Sequence, residues 1–348
     1  MNRRRISSRR AFTWIELIVV IIVLAFLLAL VPCSCNSDRG IARRIVCNNN
    51  LKLIGLALHN YGMAKKAFPP GVVCSPASMT AAQADPWADA QLATKGASGT
   101  SWLLATLPFL EGGASAKRWD YNCSVTGGGN AAVASMDCKG LYCPTRRNAL
   151  RAGDNAMLLS STWTGGGTDY GGCAGRHAAF TLETGYNLCD ATMYYEPNFF
   201  PKPFKGKEDD TPQKRWGIFG RVNVSTAWKD VRDGLSNTIM TGELQRITDI
   251  TPGSKDGWAV GGPATLFTTG AMFRRSGTKV NYATPSNGGS LMNNGFFGSP
   301  GSEHSNGANF GIADGSVRYF STSMDPNVFA ELGSMADRTP IPLEGLDY

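Results

Sequence analysis

Glu16 sits where a carboxylate is costly. From Phe12 to Val31 the chain is apolar except for Thr13 and Glu16. An ionised Glu at the centre of a bilayer costs roughly 2.5 to 3.5 kcal/mol, so it requires a partner. Covalent chemistry can supply one. Hydrolysis of the Ala11–Phe12 peptide bond, just after the basic Arg9-Arg10 pair, frees an α-amine at Phe12. That cation lies four residues from Glu16, about one helical turn. Nine cysteines form the second reactive set, an odd number that leaves at least one thiol outside any internal disulfide. Cys123 and Cys138 flank a Gly-rich loop, and Cys173 and Cys189 flank a segment of similar length; each pair reads as a local disulfide. Closing a loop of about 15 residues stabilises by roughly 3 kcal/mol.

Other chemistries lack their residues. Gly-x-Ser-x-Gly and Cys-x-x-Cys are absent, and His59, His177 and His304 stand far apart with no ligand spacing. None of the Gly clusters has the strand, turn and helix order of a phosphate-binding loop. The expectation is no catalytic residue, no cofactor and no metal site.

Residues 9–16, Arg-Arg-Ala-Phe-Thr-Trp-Ile-Glu, resemble the signal of type IV prepilins and type II secretion pseudopilins. Phe12, Thr13, Ile15 and Glu16 match that pattern, Ala11 replaces its Gly, and Trp14 replaces a Leu or Val. The resemblance implies a prepilin peptidase that cuts after Ala11 and methylates the Phe12 amine. It also implies an ion pair between Glu16 and a neighbouring subunit's amine, and a pilus or type II secretion assembly platform as partner. A twin-arginine signal fits less well, since Glu16 interrupts its apolar region. A lipoprotein box at Cys33 puts Pro32 where a small residue is needed.

These residues need an element to carry them. Residues 12–31 read as a single membrane span, about 30 Å long as a helix. The leader 1–11 holds five Arg and no acid, so its removal takes the net charge from +7 to +2. Basic residues before the span stay cytoplasmic, which places the remainder outside, in the periplasm or at the cell surface. Arg43-Arg44, Arg146-Arg147 and Arg274-Arg275 then read as solvated faces, and no nucleic-acid partner is expected. Residues 32–61 read as a kinked amphipathic continuation, with the break at Pro32 to Gly40 and one face formed by Cys47, Leu51, Ile54, Leu58 and Tyr61. Cys47 then faces inward and can reach Cys143, so the two are a further candidate disulfide that would clamp the helix onto the core. Residues 62–348 form the head.

Further along, Cys47-Asn48-Asn49-Asn50-Leu51 through Tyr61, followed by Phe68-Pro69-Pro70-Gly71, is similar to the defining segment of the DUF1559 family of bacterial prepilin-type proteins. Tyr142-Cys143-Pro144, Thr168-Asp169-Tyr170-Gly171 and Asp233-Gly234 through Glu243 resemble further family elements. So does the run from His304 through Asn309 to Ala313-Asp314-Gly315-Ser316-Val317-Arg318-Tyr319. The resemblance implies a pilin-like architecture and export more than a defined biochemical role.

Asp314-Gly315 reads as a two-residue type I′ turn that pairs Ile312 with Val317 and Phe310 with Tyr319; Asp314 is a turn residue before it is a calcium ligand. With 41 Gly and 18 Pro, the head is loop-rich. Met79 to Gly99 and Lys202 to Asp210 read as exposed insertions. The fold expected is α+β, a long apolar N-terminal helix packed on an antiparallel sheet. The function expected is a pilin- or pseudopilin-like subunit, not an enzyme. The alternative is an anchored adhesive or ligand-binding head in which Trp87, Trp163, Trp216 and Trp258 share a solvent-facing cleft.

Overall fold

Thr13 and Glu16 start the first helix together. The Thr13 amide and hydroxyl both donate to Glu16 Oε2 at 2.8 Å, and the Glu16 amide faces Thr13 Oγ1 at 3.4 Å. This reciprocal Thr-x-x-Glu arrangement is a capping box. The computed structural model describes residues 13–29, 35–76, 85–92, 96–110, 113–176, 212–247 and 254–336, the last without 271, 278 and 284. The chain divides into two units, Met1–Ala42 and Arg43–Tyr348.

In the first unit, helix α1 is Trp14–Ala29, 16 residues and about 24 Å long. Among the described residues no helix is long and apolar enough to cross a membrane. Ala11, Phe12 and residues 30–34 lie outside the described residues. Helix α2 is Cys35–Lys65, so Cys35 to Gly40, read as part of a break, is helical.

The second unit is mixed α and β. Cys47, Leu51, Ile54 and Leu58 of α2 are buried to 1% exposure or less, as their spacing predicts, and the half-buried Tyr61 ring meets Phe109 edge-on. Lys66 takes a left-handed φ of 62° as the helix stops. The strands are β1 Val72–Val73, β2 Thr100–Ser101, β3 Tyr170–Gly175, β4 Ile239–Glu243, β5 Leu266–Thr268, β6 Phe273–Ser276, β7 Lys279–Tyr282, β8 Gly307–Ile312 and β9 Val317–Ser321. Five of them form a sheet in the order β5-β3-β4-β8-β9, antiparallel except for β3 beside β5.

Alternation along the sheet sorts two cores. Tyr170, Ala174, Met240 and Leu266 join Leu51, Ile54 and Leu58 of α2. Cys173, Ile239, Phe267 and Phe310 join Val328, Phe329 and Leu332 of the helix Pro326–Gly333 on the other face. That helix starts where Asp325 accepts from the Asn327 amide at 2.7 Å, with Pro326 in its first turn.

The β8–β9 register differs from the sequence reading by one residue. Gly311 pairs with Val317, Phe310 with Arg318 and Asn309 with Tyr319. The turn holds three residues, Ala313 to Gly315, because the Gly315 amide donates to the Ile312 carbonyl and Gly315 then takes φ 89°. Such a three-residue loop with a left-handed Gly displaces the partner strand by one, which reassigns its faces. Phe320 therefore enters the core beside Phe310, while Tyr319 lies half-buried under the Arg44 guanidinium. Within the segment 79–99, residues 85–90 depart from the expected exposure. Asp85 caps a short helix, Pro86–Gln91, whose Trp87, Asp89 and Ala90 are buried. Lys202 to Asp210 lies outside the described residues.

Gly62 offers a test of α2 packing. Ala at a helix interior is favoured over Gly by about 0.8 to 1 kcal/mol. A Cβ at this position, however, would stand 2.5 Å from Trp228, whose ring is held between Phe68 and His59 at 4.4 and 4.9 Å. Overpacking costs about 1 to 3 kcal/mol, so Gly62→Ala lowers the urea midpoint of the full chain in detergent. A raised midpoint means that Trp228 yields at no cost.

Candidate functional site

Four segments far apart in sequence each deliver one donor to a buried point. Cys47 comes from the inward face of α2, Cys143 from the turn after Lys139–Leu141, Glu243 from the last position of β4, and His304 from the turn leading into β8. All four are buried, and their ligand atoms lie within 4.8 Å of one another. Cys47 Sγ and Cys143 Sγ are 3.0 Å apart and unbonded, Cys143 Sγ is 3.7 Å from His304 Nε2, and His304 Nε2 is 3.0 Å from Glu243 Oε1. The sequence reading made Cys47 and Cys143 a candidate disulfide; the two sulfurs meet, but as free thiols. That Glu243 and His304 join them was not legible, because no spacing within the sequence connects the four.

A second layer fixes these groups. Thr145 Oγ1 is 3.1 Å from His304 Nδ1. Glu243 Oε2 accepts from the Asn309 amide at 2.6 Å and from Asn309 Nδ2 at 2.9 Å. Asn50 Nδ2 donates at 3.1 Å to the Tyr170 hydroxyl, which in turn bonds Cys47.

Proton affinities follow from these contacts. The Cys143 thiol is lowered to about 6 by the hydrogen bond from Cys47 against the effect of burial, with His304 and the Arg146 amide assisting. Cys47, the donor in that bond and itself buried, is pushed strongly up. Burial pulls His304 down, but its bonds to Cys143 and Glu243 outweigh that and raise it to about 9. Cys143 is thus the more acidic of the two thiols, and His304 holds its proton more firmly than a free imidazole.

The geometry is not that of a nucleophile relay. A Cys-His-acid relay uses opposite ring nitrogens for its two partners. Here the same nitrogen, Nε2, faces both Cys143 and Glu243, while Nδ1 faces Thr145. Two sulfurs, one nitrogen and one carboxylate oxygen converging on a point are instead a set that can hold a metal ion.

Beside this cluster lies a buried ion network. Arg147 contacts Asp154 at 2.7 Å, Asp169 at 2.8 Å and Asp256 at 2.6 Å; Arg146 reaches Asp169 at 3.3 Å and Asp154 at 3.4 Å. Arg246 lies 3.5 Å from Asp256 and donates to the Thr168 and Ala264 carbonyls. Arg146-Arg147 is thus no solvated face: both residues are under 10% exposed, because the aspartates compensate their charge. Arg43-Arg44 and Arg274-Arg275 are exposed, as read from the sequence. Asp169 joins network to cluster, accepting at Oδ2 from the Cys143 amide at 3.0 Å and Arg147 Nε at 3.2 Å. An open cleft of about 630 Å³ ends on Cys143, Arg146, Asp169 and Glu243.

The remaining predicted residues lie elsewhere. Cys123, Cys138 and Cys173 are free thiols, with Cys123 donating to Asp120 at 3.3 Å and Cys173 to the Gly333 carbonyl at 3.5 Å. Cys189 lies outside the described residues. Asp314 Oδ1 accepts from the Ser316 amide at 2.8 Å, a turn role. Trp87 and Trp258 are buried and Trp163 and Trp216 pack half-buried on the same core, so these four rings form no exposed cleft.

The segments that meet at the cluster are those that carry the family resemblance, and a family comparison agrees. The family described as "Protein of unknown function (DUF1559)" matches residues 36–327. The chain belongs to that family. No curated protein and no solved structure matches it. The DUF1559 match begins after Glu16 and α1, so it covers most of the head and of α2 and leaves the leader aside.

Asp256 provides the test of the ion network. Burial raises its proton affinity, but Arg246 and Arg147, with the Thr168 amide, outweigh burial and hold Asp256 below the usual carboxylate range. A depressed folded-state value contributes stability above the ordinary Asp range, and that stability is lost as pH falls through the lowered value. Removing one partner of a buried pair costs about 3 to 5 kcal/mol. Asp256→Asn is expected to lose an amount of that order in urea unfolding at pH 7, with the deficit shrinking toward acid pH. A deficit independent of pH assigns the loss to packing instead.

Proposed function

We propose that this chain is a pilin- or pseudopilin-like subunit. Its leader is removed between Ala11 and Phe12, its apolar helix holds it in the inner membrane as a single pass, and its head lies in the periplasm or at the cell surface. The observation that carries this reading is α1 itself. From Trp14 to Phe26 its large apolar side chains are 39 to 75% exposed, and Glu16 meets only Thr13 among the described residues. A helix apolar all round needs lipid or other helices about it. With the apolar run extended to residues 12–31, the length suits one span.

The outward side of α2 supports assembly with like subunits. Ile45, Leu53, Leu56 and Met63 are 50 to 64% exposed, opposite the buried stripe. Four large apolar side chains exposed on one side of a helix are the kind of surface that further helices cover. Its partners in this reading are a prepilin peptidase, an assembly platform and further copies of the chain. The adhesive alternative rested on a shared tryptophan cleft, and the burial of Trp87 and Trp258 removes that support.

Mass spectrometry of the N-terminus in protein from its native host tests the processing step. The expected mature chain starts at Phe12, with a methylated amine; an intact Met1, or a start beyond Val31, rejects the reading. Glu16→Ala tests assembly. In an apolar environment an unpaired Phe12 amine costs several kcal/mol, so the variant is expected to be cleaved and to keep a folded head while its recovery in sheared filaments or cross-linked multimers falls. Wild-type recovery shows that no Glu16 ion pair drives assembly.

A further inference from the structure

We infer that Cys47, Cys143, Glu243 and His304 form a closed four-ligand zinc site that fastens α2 to the head sheet. The inference is independent of the membrane and assembly reading, since all four residues lie within the second unit.

Donor chemistry and distance both point to zinc. Two thiolates, an imidazole and a carboxylate are its common ligands, at about 2.0 to 2.3 Å, so donors around a tetrahedral ion stand roughly 3.3 to 3.8 Å from one another. The observed separations of 3.0, 3.0 and 3.7 Å, with every atom inside 4.8 Å, need only small rotations to surround one ion. Soft sulfur with nitrogen in a tetrahedral set selects zinc over calcium or magnesium, which prefer all-oxygen shells.

A disulfide between Cys47 and Cys143 explains only half of the arrangement. Disulfide sulfurs are neutral and ask for no charged neighbours, yet Glu243, 1% exposed, and His304, 8% exposed, are aimed at the same point. His304 and Asn309 compensate Glu243, but neither accounts for two free sulfurs meeting at the same point. A divalent ion accounts for all four groups.

The supporting contacts are those that metal ligands require. His304 presents Nε2 to the centre while Thr145 holds Nδ1, and Asn309 holds the Glu243 oxygen that faces away from His304. Such outer partners fix ring orientation and carboxylate rotamer. The cleft that ends on Cys143 and Glu243 is the route by which an ion arrives. Binding displaces the thiol proton of Cys47 and the proton shared by His304 and Glu243, leaving two thiolates, a neutral imidazole and a carboxylate on the ion.

Full-length protein in detergent, reduced, stripped with a chelator and then dialysed against zinc chloride, is expected to hold one zinc per chain by elemental mass spectrometry. Cys143→Ser and His304→Gln drop that content to background, whereas Cys123→Ser leaves it unchanged. Thr145→Val keeps every ligand and weakens zinc by about 10- to 100-fold. Should the ligand variants fail to fold, the wild type answers alone: cobalt(II) gives thiolate-to-metal charge-transfer bands and tetrahedral visible absorption. Folded wild type that takes up neither ion overturns the inference. So does a Cys47–Cys143 linked peptide in non-reducing maps of protein taken from its own compartment.

Discussion

Six charged side chains withdrawn from water set the terms for the head. Arg146, Arg147 and Arg246 face Asp154, Asp169 and Asp256, all under 10% exposed. No one of them can leave without stranding a partner in the interior, and that penalty ties the loops bearing them to one another more firmly than loop propensities do. The loops concerned are rich in Gly and lack the long regular elements that position side chains by geometry alone. Cross-linking charges take over that task, and Asp169 extends it to Cys143 by accepting the Cys143 amide.

The sheet supplies a platform thin enough for this arrangement. Strand β3, Tyr-Gly-Gly-Cys-Ala-Gly, is wholly buried and mostly small, so neighbouring groups approach its backbone closely. One face takes the stripe of α2 and the other the aromatic set around Phe310 and Phe329. Glu243 closes β4 at the end where β8 begins after His304, and the antiparallel pairing of β4 with β8 brings those termini together. The centre with Cys47 and Cys143 is thus a product of topology: a helix face, a turn, a strand end and the approach to a strand meet because the sheet order puts them side by side.

Helix α2 serves two masters. Its inward side delivers Cys47 and the core leucines, while its outward side keeps Ile45, Leu53, Leu56 and Met63 in contact with solvent. In a monomer the outward residues gain nothing from exposure. In the pilin-like role we propose, these residues meet further helices while the buried side secures the head.

The sequence by itself determined what depends on near neighbours. The apolar run with Thr13 and Glu16, the 3- and 4-residue stripe from Cys47 to Leu58, the Asp-Gly turn at 314–315 and the DUF1559 family were all legible, because helix periodicity, capping and turn chemistry act within a few residues. Pairing across the turn was legible only to within one residue, since Gly315 is left-handed in a two- or a three-residue loop alike and the difference lies in Asp314, which a type I′ turn would also place at positive φ. What the tertiary structure alone decided is the burial of Arg146 and Arg147, the half-hidden tryptophans and the meeting of Cys47, Cys143, Glu243 and His304. Donors that follow one another at 61 to 100 residues leave no spacing to read. A charge reads as solvated until the partners that compensate it are seen, and those partners come from strand order, a property no local window contains.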